Sequence, residues 1–128
     1  MIFLAYLFFQ FPFLRLDLWN DEIYSLNYFT FVSPLKTITD YHAPNNHIFF
    51  NLLNNFYLRL IGEKDVYSLM DHPWQLRIVS LVYSIGTIYF TFKCAQLFFG
   101  KRVAVTSVVF LCTVIPFYNF AAQIRGYS

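Results

Sequence analysis

Residues 76–99, LRIVSLVYSIGTIYFTFKCAQLFF, and residues 103–120, VAVTSVVFLCTVIPFYNF, decide the fold. As a helix the first run reaches about 36 Å, enough to cross a hydrocarbon core about 30 Å thick. Its polar residues are mostly Ser, Thr, Tyr and Cys, and Lys93 lies near the far end, where its ammonium can snorkel to the headgroups. Gly100-Lys101-Arg102 forms a turn, and the second run returns across the membrane. Lys93, Lys101 and Arg102 cluster at this turn, so the positive-inside rule puts it in the cytoplasm. Residues 17–75 and 121–128 then share the outer side. The composition agrees: the chain has 128 residues, 58% hydrophobic and 23% aromatic, with 12% charged. Soluble domains carry about 25% charge. A net charge of +2 without a Lys/Arg run gives no support to nucleic acid as a partner, and none is expected. Cys94 and Cys112 fall in apolar runs and read as small hydrophobes rather than a disulfide or metal pair.

Working outward, residues 1–16 hold an apolar run broken by Gln10 and Pro12, too short to span and without a signal-peptide pattern. They are expected to be the end of a first transmembrane helix. Residues 17–75 form the outer loop. Residues 17–47 alone carry Asp17, Asp21, Glu22, Asp40, His42 and His47, which makes them the first place to look for chemistry. Asn20 suits a helix N-cap, with Asp21 and Glu22 in the first turn, where the helix dipole favours carboxylates whatever their role. Ser33-Pro34 starts a second short helix ending near Asp40, and residues 43–46 form a turn. Over residues 47–61, His47, Asn51, Asn54, Asn55 and Arg59 fall within an arc of about 140°. That stripe suits an interfacial helix with an aqueous face roofing a cavity and an apolar face in lipid. Gly62 ends it, and a polar loop containing His72-Pro73 leads to Arg77, a helix-start anchor or a ligand. The expected fold is all-α integral membrane, with about three transmembrane helices and an outer loop bearing short juxtamembrane helices.

Several pieces occur in a telling order. Asp21-Glu22 follows the first apolar helix, and a Pro/His turn enters an aromatic amphipathic helix. Leu76-Arg77-Ile78-Val79-Ser80 opens a long helix that ends in Phe98-Phe99-Gly100-Lys101-Arg102, and the chain runs on to Gln123-Ile124-Arg125-Gly126-Tyr127-Ser128. This order resembles the N-terminal part of membrane GT-C glycosyltransferases, nearest to family 39, the protein-mannosyltransferase, aminoarabinose-transferase and bacterial lipopolysaccharide-sugar type. Where that family commonly has His-Pro-Pro-Leu-Tyr, this chain has Asn45-Asn46-His47-Ile48-Phe49; His47 is the better counterpart by position, with His42 the alternative. The loop from Gly62 to Arg77 is also longer than usual.

The resemblance implies that residues 1–128 are one partial catalytic membrane domain, the front of a longer enzyme. It implies transfer of a sugar from a polyprenyl-phosphate donor to a hydroxyl on a glycan, lipid or protein acceptor. The expected place is the outer face of a bacterial plasma membrane, with no metal or cofactor. Asp21 would be the base, with Glu22 beside it in the catalytic pair, orienting its neighbours. His47, His42, Arg125 and Arg77 are the substrate-binding candidates, Arg125 for the departing phosphate. A non-catalytic module or truncated remnant that binds lipid-linked sugar is the alternative. A transporter would carry more polar residues in its spans.

Overall fold

The computed structural model describes residues 2–44 and 46–124, with side chains described from Leu4 onward. The described residues are mostly helical, with no strand among them. Helix α1 (Ile2–Leu14) leads through an extended link to α2 (Asn20–Ser25), which widens into a π-turn at 26–30. Then come α3 (Pro34–Thr39), α4 (Ile48–Leu60), a 3₁₀ turn at 67–69 and the single turn α5 (Pro73–Leu76). The long α6 (Ile78–Phe99) folds back at Gly100 into α7 (Lys101–Thr113), and α8 (Ile115–Phe120) follows.

Ser33 accepts a hydrogen bond from the Lys36 N–H at 3.2 Å, and Pro34 occupies the first turn, as the sequence leads one to expect for α3. Helix α4 stops in a Schellman motif. Gly62 sits at φ +83°, its N–H donates to the Arg59 carbonyl at 3.2 Å, and the Glu63 N–H donates to Leu58 at 3.0 Å.

Four expectations need correction. Helix α6 starts at Ile78, not Leu76, because α5 and Arg77 intervene. It is the one helix, among the described residues, long and apolar enough to cross a membrane, where about three were expected; α1 supplies a shorter apolar stretch, Leu4–Leu14. The run 103–120 is not one helix but breaks at Val114, which is extended at φ −70°, ψ 120°. Pro116 explains the break: it has no N–H for the Cys112 carbonyl, and its ring would clash there. A new helix starts with the Tyr118 N–H on the Val114 carbonyl at 3.0 Å.

The fourth concerns α4. Its polar stripe does not face water: Asn51, Asn54 and Asn55 are buried. The π-turn explains the orientation. It closes with the Phe31 N–H on Leu26 at 2.8 Å and the helix ends there, and Pro34 has no N–H for the Thr30 carbonyl, so carbonyls at this end lack helical donors. Asn55 donates to the Thr30 and Val32 carbonyls, and Arg59 donates to Val32 at 3.3 Å. Asn46 donates to Thr37 at 2.8 Å and Asp40 at 2.7 Å, and accepts from Asn51 at 3.1 Å. Asn55 and Arg59 of the stripe therefore cap backbone carbonyls, Asn51 joins them through Asn46, and Asn54 donates to Phe50 of its own helix at 3.0 Å. The opposite face, Phe49, Phe56 and Leu60, is exposed.

Two clusters hold the elements together. Leu26, Phe50, Leu58, Val66, Leu69, Leu76 and Ile124 pack beneath the loop segments. Tyr6, Ile88, Val108 and Ala121 join α1, α6, α7 and the end of α8. Outside them, Phe8, Phe9, Phe90, Leu97, Phe98 and Phe110 are all exposed.

Candidate functional site

Helix α2 starts after Trp19, whose backbone is extended, and places Asp21 and Glu22 in its first turn. Neighbouring helical residues diverge by about 100°. Here that rotation sends the two carboxylates to opposite fates: Asp21 is exposed, and Glu22 is completely buried.

Glu22 reaches back to accept the Trp19 N–H at 2.9 Å, the carboxylate half of a capping box. Its partner is Arg77, at the junction of α5 and α6. Arg77 Nη2 donates to Glu22 Oε2 at 2.9 Å and Nε to Oε1 at 3.4 Å, and the two side chains are 2% and 0% exposed. The Ile124 N–H donates to Oε1 at 2.7 Å. The rest of the guanidinium gathers carbonyls: Nη1 donates to Phe13 at 2.8 Å, Leu14 at 3.3 Å and Leu16 at 2.7 Å, and Nη2 to Asp17 at 3.1 Å. Phe13 and Leu14 end α1, so Arg77 satisfies carbonyls left over by that helix. One ion pair thus fastens the end of α1, the start of α2, the start of α6 and the segment after α8. Arg77, expected among the ligand residues, has its Nε and both terminal nitrogens engaged by the protein. The arrangement suits it to positioning.

Beside the pair lies a cavity of about 370 Å³ lined by Phe13, Leu16, Trp19, Arg77, Asn119, Phe120, Ala122 and Gln123. Asn119 also lines an apolar groove of about 620 Å³ between α1 and the α7–α8 break, where Tyr6, Phe9, Val109, Cys112 and Ile115 form the walls. Cavity and groove therefore share a wall.

The histidines separate. His47 is the N-cap residue of α4, half-buried, with its carbonyl accepting the Asn51 N–H at 2.9 Å. His42 lies in the exposed turn after α3. Its Nδ1 is hydrogen-bonded to Asp40 Oδ1, and its Nε2 lies 2.9 Å from the Tyr24 hydroxyl. Hydrogen bonding to His42 holds the Asp40 carboxyl below its ordinary value of 3.8. That stabilisation is complete above pH 3.8 and is lost as the pH falls through the lower folded value. Sequence reasoning missed Asp40 and Tyr24 as partners of His42. The i, i+2 spacing of Asp40 and His42 before Pro44 was the available signal for the first; nothing local pointed to Tyr24. His72 is exposed and caps α5. Arg125 lies outside the described residues. No group of three His, Cys, Asp or Glu among the described residues stands close enough to hold a metal ion.

No family model, curated protein or solved structure matches this chain.

Proposed function

We propose that this chain is part of a membrane glycosyltransferase of the GT-C, family 39-like type. It moves a sugar from a polyprenyl-phosphate donor to an acceptor hydroxyl on the outer face of a bacterial plasma membrane. The observation that carries the proposal is the pairing of an exposed Asp21 with a rigid mount. Glu22, the next residue, is locked by Arg77 next to the cavity, and the cavity shares Asn119 with the apolar groove. A lipid-linked sugar has matching parts: an isoprenoid chain for the groove and a polar headgroup for the cavity. The exposed aromatic and aliphatic surfaces of α1, α6 and α7 support a hydrocarbon surrounding, and the exposed face of α4 supports an interfacial position.

In this reaction Asp21 accepts the proton of the acceptor hydroxyl. The acceptor oxygen bonds to the anomeric carbon as the bond from that carbon to the phosphate oxygen breaks, and the electron pair leaves with the lipid phosphate. Glu22 is buried and already accepts from Arg77, Trp19 and Ile124, so it orients α2 and takes no proton. Because Arg77 is engaged, the cation for the leaving phosphate is assigned to Arg125, with His47 or His42 contacting substrate.

The reaction is tested by supplying membranes that carry the full-length protein with undecaprenyl phosphate bearing a radiolabelled hexose. Free undecaprenyl phosphate and glycosylated acceptor are expected to rise in equal amounts, and not in membranes lacking the protein. Label that stays wholly lipid-linked in both would remove the proposal.

A further inference from the structure

Away from the Glu22–Arg77 pair, His42 lies in an ordered group of side chains that is open to solvent. Its ring lies near that of the buried Phe29, centroids 5.3 Å apart and planes 35° apart. Tyr28 meets it at 5.8 Å and 71°, and Tyr24 at 6.2 Å and 61°. The two tyrosine rings are 4.5 Å apart. Tyr28 is 47% exposed and the His42 side chain 43% exposed, so the two rings form an open corner near a right angle.

The hydrogen bonds fix what this corner offers. An ionised carboxylate only accepts, so the Asp40 contact places the proton of neutral His42 on Nδ1. Nε2 is then an acceptor, at present facing the Tyr24 hydroxyl. The His42 backbone N–H also donates to Asp40 Oδ1, at 3.3 Å, which holds the turn against the carboxylate. A tyrosine serving only as an interfacial anchor needs no Asp–His pair behind it. Tyr24 is three residues from Asp21 on α2, which puts both on one side of that helix.

We infer that Tyr24, Tyr28, His42 and Asp40 form a subsite for one pyranose ring. The C–H face of the sugar lies on Tyr28, and its hydroxyls exchange hydrogen bonds with His42 Nε2, the Tyr24 hydroxyl and Asp40. A sugar suits this corner better than an anion does, because the charge in hydrogen-bond contact with His42 is the Asp40 carboxylate, and Lys36 acts on Asp40 only through space. The inference rests on the glycosyltransferase reading for why sugars occur here, and the ring belongs either to the acceptor or to the lipid-linked donor.

Saturation-transfer NMR on the full-length protein in nanodiscs, with methyl α-D-mannopyranoside and methyl β-D-glucopyranoside as probes, tests binding without any need for turnover. Saturation of sugar ring protons is expected in the wild type. Tyr28→Leu, which keeps bulk without a π face, and His42→Gln should each weaken it by up to about tenfold. Tyr67→Ala, at an exposed tyrosine outside this group, should leave it unchanged. Equal signals from wild type, Tyr28→Leu and His42→Gln would overturn the subsite. A transfer assay with the same glycosides as acceptors and labelled undecaprenyl-phosphate hexose as donor identifies the source. A raised KM for the glycoside marks the acceptor's sugar, a raised KM for the lipid marks the donor's, and neither rising in Tyr28→Leu overturns the subsite while transfer itself stands. Glycosides that bind the corner of a protein unable to transfer would remove the enzymatic reading and leave the subsite.

Discussion

At the scale of single residues, the adjacent pair Asp21-Glu22 shows how one step along a helix separates two chemistries. Both carboxylates suit the first turn of α2, but only Glu22 points inward to a guanidinium. Removing one member of a buried ion pair leaves the other desolvated and uncompensated, which costs about 3–5 kcal/mol. Arg77→Ala should therefore lower the unfolding free energy by about that amount. It also strips donors from the carbonyls of Phe13, Leu14, Leu16 and Asp17. Arg77→Lys retains the charge but loses the fork that meets both Glu22 oxygens, and should fall between wild type and Arg77→Ala. Denaturant titration of the purified protein in detergent measures this order. An Arg77→Ala protein as stable as wild type would show that the pair holds nothing together.

At the scale of elements, α4 separates what a sequence pattern specifies from what it leaves open. The period of His47, Asn51, Asn54, Asn55 and Arg59 was enough to place them on one face, and the limits of the helix follow within a residue. What covers that face was not legible. The carbonyls of Thr30 and Val32, which need the amide of Asn55, lie more than twenty residues earlier, where the helix ends, Pro34 offers no N–H to Thr30 and the Lys36 N–H is taken by Ser33. The partnership of Glu22 and Arg77 was hidden for the same reason, being set by tertiary packing across 55 positions. The break at Val114 was readable in principle. Continuous hydropathy across residues 103–120 masked it, although Pro116 carries the signal. If the stripe is a capping device, Asn55→Ala should cost about 1–3 kcal/mol, the penalty for buried carbonyls left without donors. Thermal unfolding beside Asn27→Ala, at an exposed asparagine, provides the comparison. Equal losses would return the stripe to a solvent role.

At the scale of the whole molecule, the exposed apolar side chains of α1, α4, α6 and α7 surround polar loop segments fastened to the helices by Glu22 and Arg77. The proposed enzyme uses that division, with lipid along the groove and chemistry where α2 emerges. The most direct check is the rate of hexose transfer from undecaprenyl phosphate by Asp21→Asn, measured with its melting curve and its donor affinity. Because Asp21 is exposed, the substitution should leave melting and donor binding near wild type, while transfer falls by about 10²–10⁴-fold, the usual contribution of a general base. Transfer at the wild-type rate in a folded Asp21→Asn protein would contradict the assignment of Asp21 as the base.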